Sequence, residues 1–275
     1  MARGRPPSTD RQADLCSLLR SLDLTYAAAN FGDLALKAAK AGLTHEAFLD
    51  ELVRGECEYR AQRRVERDLR RSKLPREKTF ATLDLTRFSA PLQLQIERLR
   101  TGAFVEEATN CIAVGRPGVG KSHLAAALGH ELILGGHRVY WTSTAALVQN
   151  LLAAKRDLRL PRALTKLDQF ACVILDDIGY VQHDRDEMEV LFTLLSERYE
   201  RRSVILTTNL VFSDWQRIFK DPMTTLAAID RVVHHSVILD LMTVESYRAK
   251  EASEQHRAEL ALVPATAASP VGVGA

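Results

Sequence analysis

Eight consecutive residues, Gly115-Arg116-Pro117-Gly118-Val119-Gly120-Lys121-Ser122, place three glycines, an ammonium and a hydroxyl at the spacing of a phosphate-binding loop. They fit the pattern G-x-x-x-x-G-K-[S/T] at every fixed position. Without a Cβ, Gly115, Gly118 and Gly120 let the backbone wrap closely and turn its N–H groups inward onto phosphate oxygens. Lys121 is expected to reach the β- and γ-phosphates of ATP, and the Ser122 hydroxyl to bind Mg2+. His123 follows directly and is counted with the nucleotide-binding residues. Such a loop needs a buried strand before it and a helix after it. The apolar run from Asn110 to Val114 supplies the strand. Residues 121–134 read as the helix, whose positive dipole end adds to the site.

Three more groups have residue types suited to the same chemistry. The apolar run Cys172-Val173-Ile174-Leu175 ends in Asp176 and Asp177. Asp176 is expected to hold Mg2+, usually through water, and Asp177 to orient the attacking water. The run from Ser203 to Thr208 ends in Asn209. The strand ends of one parallel sheet face one ligand crevice, so this amide is placed to hydrogen-bond the γ-phosphate or the lytic water. The plainer alternative is an ordinary turn after a strand. Asp230-Arg231 precedes the last apolar run. Arg231 cannot easily reach its own subunit's nucleotide, but it is placed to reach a neighbour's as an arginine finger. The alternative is an exposed pair with Asp230, which is worth little.

These groups sit on an alternation of strands and helices, the pattern of a parallel sheet with flanking helices. Strands are expected at 110–115, 138–142, 171–176, 203–208 and 236–241. Helices are expected at 121–134, 144–154, 186–200 and 213–219. Ahead of them, residues 10–74 read as a helical domain. Leu15, Leu18, Leu19 and Leu22 recur at helical spacing. A second helix from Tyr26 to Lys40 is ended by Gly42, and Thr44 caps a third through Phe48, Leu49, Leu52 and Val53. Pro75 should end that third helix. A connector follows to about residue 90, and Pro91–Leu99 begins a helix leading into a domain spanning 75–250. Residues 1–9 read as a disordered basic tail, and 251–275 as a disordered tail.

The chain has 275 residues, 46% hydrophobic and 26% charged, with a net charge of +2. These are globular values, and so small a net charge means that nucleic-acid binding must come from local clusters. Two clusters qualify. Arg63, Arg64, Arg67, Arg70 and Arg71 lie on the third helix, partly offset by Glu58, Glu66 and Asp68. Lys155, Arg156, Arg159 and Arg162 surround Pro161. Each reads as a phosphate-contacting surface or as a solvated face. Arg3-Gly4-Arg5-Pro6 resembles the core of a minor-groove AT-hook, with a solvated tail as the plainer reading. No apolar run reaches transmembrane length, and no secretory signal is visible. Cys16, Cys57, Cys111 and Cys172 form no C-x-x-C. The expectation is therefore reduced thiols in a cytoplasmic protein, with Cys111 and Cys172 in core strands.

Together these residues resemble the AAA+ ATPases, and more closely the IstB family, the ATP-binding helper proteins of two-gene insertion sequences, related to the bacterial helicase loader DnaC. The supporting blocks are Pro75-Arg76-Glu77-Lys78-Thr79, Gly115 to Ser122, Leu175-Asp176-Asp177-Ile178-Gly179-Tyr180, Ser196-Glu197-Arg198-Tyr199-Glu200, Thr207-Thr208-Asn209-Leu210, Asp214-Trp215 and Ala228-Ile229-Asp230-Arg231. The resemblance covers about residues 10 to 250. It implies an α/β fold: a P-loop AAA+ domain with a parallel β-sheet flanked by helices, preceded by a small all-helical domain. It also implies a bacterial, nucleoid-associated ATPase that assembles as a homo-oligomer through ATP-bridged interfaces on duplex DNA, bends it, and recruits the transposase of the same insertion sequence. Lys121 and Ser122 match the phosphate-loop pair, Asp176 the magnesium carboxylate, Asn209 the sensor and Arg231 the finger. Lys155 to Arg162 falls where this clade carries a DNA-facing helical insertion. Phe80 and its neighbours match the linker lining the adenine pocket. Arg248 is the only candidate for a lid-domain arginine.

Two other readings remain. A helicase loader would prefer single-stranded DNA, and a small-molecule P-loop kinase would have no use for Arg231. One position departs from the common AAA+ pattern: Asp177 stands where Glu is usual. Aspartate is one methylene shorter and places the water less well. A slow, switch-like ATPase is expected, releasing phosphate at steady state below about 1 s−1, near the low end of enzyme turnover. A faster rate would overturn that reading of Asp177.

Overall fold

In the computed structural model, which describes residues 9–179, 185–211 and 233–247, the N-terminal periodicity becomes three helices. They are α1 (Thr9–Ser21), α2 (Thr25–Ala41) and α3 (His45–Ser72). Gly42 ends α2 in the left-handed region, with its N–H on the Ala38 carbonyl. Thr44 Oγ1 accepts the Ala47 N–H at 3.2 Å and caps α3, as a side-chain oxygen at this position does. α3 stops ahead of Pro75, with Lys73 at a φ of 60° just past its end. The leucine row of α1 is largely open to solvent: Leu15, Leu18 and Leu22 are 43%, 61% and 67% exposed.

The chain divides into two compact units, Met1–Asp68 and Leu69–Ala275. In the first, Ala27, Ala28, Leu34 and Ala38 of α2 are buried. The charged side chain of Glu56 on α3 is buried with them. It accepts the Ala27 N–H at 3.0 Å and pairs with Arg60 at 2.9 Å. Arg60 also donates to the Asp23 carbonyl.

In the second unit a connector with a short 3-10 turn (Leu85–Arg87) leads to α4 (Ala90–Arg100) and α5 (Ala103–Glu106). The alternating part follows: β1 (Asn110–Val114), α6 (Lys121–Leu134), β2 (Val139–Ser143), α7 (Thr144–Arg156), α8 (Leu160–Asp168), β3 (Cys172–Ile178), α9 (Arg185–Arg198), β4 (Ser203–Thr208) and β5 (Ser236–Asp240). The five strands are parallel in the order β2-β3-β4-β1-β5. The sequence-based strand positions agree within a residue or two, as do the helices at 121–134, 144–154 and 186–200. The helix expected at 213–219 lies outside the described residues, as do residues 1–8, with Arg3 to Pro6, and the tail at 251–275; Thr9, expected in the N-terminal tail, begins α1 instead.

A parallel sheet covered on both faces needs apolar residues at every strand position, and β1 and β4 are buried throughout. On one face Ile112, Val173, Leu175 and Leu206 pack with α7, α8 and α9. The other face carries Ile174 and meets α6. A Cβ on Gly129 of α6 would lie 2.8 Å from Ile174 Cδ1 and 2.9 Å from Leu74 Cδ2, so a larger residue there would have to displace the tips of these two side chains. Cys111 and Cys172 are fully buried in β1 and β3. Burial pushes both thiols up, Cys172 to about 12, so both stay protonated and unreactive. Among the described residues no helix is long and apolar enough to cross a membrane.

At the sheet's N-terminal edge, Arg198 of α9 is only 2% exposed. Its guanidinium donates to the carbonyls of Leu167, Phe170, Ala171 and Ser203 at 3.1, 2.9, 3.2 and 3.0 Å.

Burial pushes the Glu56 carboxyl upward, but the Ala27 N–H and the Arg60 guanidinium outweigh it and hold it below the usual glutamate range. A folded-state value below the unfolded one stabilises the fold above about pH 4.3, the ordinary glutamate value. That stability is lost as pH falls through the folded value. Amide exchange at Ala27 and its neighbours in α2 is therefore expected to accelerate as pH is lowered from 6 toward 3, after correction for intrinsic rates. Glu56→Gln is expected to flatten this dependence; an unchanged profile in the variant would overturn the assignment.

Candidate functional site

The phosphate loop leaves β1 at the sheet's C-terminal edge. The Gly115 N–H bonds the Thr208 carbonyl at 3.1 Å, tying the loop's first residue to β4. A Cβ on Gly115 would meet Leu241 Cβ and Val119 Cγ2, each at 2.9 Å, so the loop closes only on a bare backbone. Gly120 then enters α6 at a φ of 98°. Lys121 is buried, and its ammonium donates to the Gly115 and Arg116 carbonyls at 2.7 and 3.0 Å. Ser122 follows, half-buried, in the first turn of α6. Glycine backbone, inward lysine and hydroxyl at a helix start fit ATP with its magnesium ion.

A cavity of about 340 Å³ opens beside this loop. Gly118 to His123 form one wall, and the connector residues Lys78, Thr82, Leu83, Asp84, Arg87 and Phe88 form another. Tyr247, just past β5, closes a third side. The Tyr247 N–H donates to the Gly118 carbonyl at 2.9 Å. The Arg87 guanidinium stacks over the Tyr247 ring at 5.2 Å and donates to the Glu245 carbonyl. The His123 Nε2 lies 3.0 Å from the Thr79 carbonyl and 3.1 Å from Thr82 Oγ1, so this histidine also fastens α6 to the connector. Phe80 is turned elsewhere: its ring lies under the Arg100 guanidinium at 4.5 Å. Its neighbours, not Phe80, line the cavity.

The two acids stand at an irregularity in β3. Leu175 pairs with Leu206 and Ile178 with Thr208, so three steps on β3 oppose two on β4. This is a bulge, a device that re-aims side chains beside active sites. Asp177 takes the left-handed conformation there, with a φ of 64°. Thr207 Oγ1 donates to Asp176 Oδ1 at 2.6 Å and accepts the Asp177 N–H at 2.8 Å. The Thr144 hydroxyl holds the Asp176 carbonyl at 3.1 Å. One residue past β4, the Asn209 Oδ1 is buried with no hydrogen-bond partner among the described residues. A buried acceptor left unmatched costs about 1–3 kcal/mol, so the group is available to a donor arriving with the substrate.

The sheet edge thus gathers Gly115 to Ser122, Asp176, Asp177 and Asn209, as the sequence pattern predicts. Arg231 and Arg248 lie outside the described residues. The basic clusters divide. Lys155 pairs with Glu189 at 2.9 Å and Asp186 at 3.4 Å on α9, and the Glu189 contact above all raises its pKa. Arg159 pairs with Asp157. Arg156 and Arg162 are exposed, with no acidic partner among the described residues. On α3, Arg63 faces Glu66 at 4.0 Å and Arg67 faces Asp68 at 3.6 Å. Arg64, Arg70 and Arg71 are exposed with no such partner among the described residues. Sequence reasoning missed Thr207, Arg87 and Tyr247. For Tyr247 the only signal was an aromatic residue shortly after the last strand.

Sheet, loop and acids define a P-loop AAA+ ATP-binding protein. The fold is shared with DnaA of Aquifex aeolicus bound to AMPPCP, at a TM-score of 0.52 and 17% identity over 70% of this chain and 59% of that one. It is shared too with DnaI, at a TM-score of 0.51 and 18% identity over 61% of this chain and 94% of that one. In sequence, residues 17–255 match the family described as IstB-like ATP binding protein. A Sinorhizobium fredii protein named for ATP binding in an insertion sequence is 41% identical over 91% of this chain and 84% of its own length. A Pseudomonas aeruginosa protein named for ATP binding in insertion sequence IS21 is 40% identical over 85% of this chain and 88% of its own. The chain belongs to the IstB-like family of ATP-binding proteins.

The connector cavity adjoins the phosphate loop and is the expected place for the adenosine end of ATP. Arg87→Ala and Tyr247→Ala are each expected to weaken ATP binding about tenfold, roughly 1.4 kcal/mol. Phe80→Ala should change it less than twofold. Titration with a fluorescent ATP analogue checks the order, and a dominant effect of Phe80 would reverse the assignment.

Proposed function

We propose that this chain is an ATP-driven switch that assembles as an oligomer on duplex DNA and recruits and activates the partner transposase. The observation that carries the reading is a phosphate loop beside Asp176, Asp177 and Asn209, together with exposed Arg156 and Arg162 that have no acidic partner among the described residues, in a chain of the IstB-like family. Family membership supports a transposition role, and free guanidinium groups support contact with phosphate backbones.

Bound magnesium and ATP supply the divalent charge and the phosphoryl bond that is broken. The rest falls to the protein. The loop N–H groups and Lys121 bind the phosphates. Ser122 and Asp176 would hold the magnesium ion. Asp177 orients the attacking water, and the Asn209 Oδ1 accepts a hydrogen bond from it. Arg231 of a neighbouring subunit brings positive charge to the transition state, which makes the oligomer part of the site. Arg156, Arg162, Arg64, Arg70 and Arg71 hold DNA phosphates, and such contacts position without reading sequence.

Light scattering with a duplex of ~60 base pairs at fixed salt tests this, since association with phosphates falls steeply with salt. A large complex is expected only when duplex, ATP and Mg2+ are all present. Replacing Arg156 and Arg162 by Ala together should lower the slope of log affinity against log salt by about two. A protein that stays monomeric on duplex yet binds single strands would favour a helicase loader instead.

A further inference from the structure

We propose that Thr207 is a positioning residue for ATP hydrolysis, its single hydroxyl setting both acids at once. The proposal rests on the reading of this edge as a hydrolytic site. Thr207 lies in the middle of the sheet with no exposed surface, opposite the bulge of β3. A strand without a bulge would give the Asp177 N–H a carbonyl across the ladder. The extra residue breaks that pairing, and Thr207 Oγ1 takes the N–H instead, at 2.8 Å. This bond helps hold Asp177 at a φ of 64°, a conformation that residues other than glycine adopt at a cost.

An N–H arriving at the hydroxyl uses one of its lone pairs, and its proton stays free to be given away. That proton goes to Asp176 Oδ1 at 2.6 Å, the short distance of a hydrogen bond to a charged carboxylate. The direction is therefore set. Oδ1 is held by β4, which leaves Oδ2 as the oxygen for the metal side. The same strand runs on to Asn209, two residues later. One hydroxyl joins the metal carboxylate of Asp176 to the main chain of Asp177, and the main chain of Thr207 leads on to the water-sensing amide. A displacement of β4's end reaches both acids without passing through solvent.

Two substitutions separate this role from packing. Thr207→Val keeps the shape and removes the hydroxyl, and Thr207→Ser keeps the hydroxyl and removes a methyl. For Thr207→Val, kcat is expected to fall at least tenfold with KM for ATP within threefold. The Mg2+ concentration giving half-maximal rate should rise. Thr207→Ser should recover kcat to within threefold of wild type. If the valine variant does not fold, Thr207→Cys, a weak donor of similar size, should show the same fall in kcat at unchanged KM. A valine variant with wild-type kcat and Mg2+ dependence overturns the proposal. So does a serine variant as impaired as valine, which would mark a packing role. Should the wild-type chain hydrolyse no ATP, the hydrolytic reading fails. The link to Asp176 is then decided by whether Mg2+ still strengthens ATP binding in Thr207→Val as it does in wild type.

Discussion

The guanidinium of Arg198 fixes where the two central strands begin, and the functional edge depends on that. It lies among four backbone carbonyls, three from the end of α8 and the entry to β3 and one from the first residue of β4. Burial lowers its pKa to about 10, which still leaves it charged at neutral pH. Hydrogen bonds from a charged group are worth about 1.5–3 kcal/mol each. Together they make the start of the ladder, Cys172 opposite Ser203, expensive to move. A one-residue slip would turn every side chain of a strand to the opposite face. Asp176 and Thr207 would then no longer meet. A cation at one end of the sheet thus determines which hydroxyl meets which carboxylate at the other.

The nucleotide edge is held from several directions. The loop is tied by main-chain bonds to β4 through Gly115 and to the segment after β5 through Gly118, and the His123 side chain ties the start of α6 to the connector. His130 adds a second fastening of α6 to the connector, at the Pro75 carbonyl. The connector and the segment after β5 are joined in turn by Arg87. The loop that carries phosphate is therefore strapped to the two segments that bound the neighbouring cavity. What fills that cavity and what sits on the loop are mechanically linked.

Local patterns were legible in the sequence, and cross-strand relations were not. The phosphate loop needs three glycines, a lysine and a serine at fixed spacing, and nothing distant alters that requirement. The strands read as apolar runs because both faces of the sheet are covered. Thr44 and Gly42 read correctly because capping is settled within one turn. The bulge at Asp176-Asp177 had no such signature, since it exists only relative to the register of β4. Thr207 looked like an ordinary interior strand residue for the same reason. Lys155 read as free because its partners, Asp186 and Glu189, are thirty residues away on another helix. The family resemblance put Phe80 with the linker that lines the adenine pocket, whereas its ring lies under the Arg100 guanidinium. The leucines of α1 have helical spacing, and spacing alone does not say whether a face is covered.

The order of the strands bears on how the chain is made. β1 lies between β4 and β5, and both are synthesised long after it. At roughly 5–20 residues per second, the ribosome needs about 5–20 seconds after β1 to deliver β4, and a few more for β5. Through that interval the apolar strand Asn110–Val114 has neither lateral neighbour. The phosphate loop cannot take its final shape, because its anchors at Thr208 and Leu241 are not yet translated. ATP therefore binds a nearly finished chain, and the nascent protein passes through a stage in which a strand buried at every position is exposed to aggregation or to a chaperone.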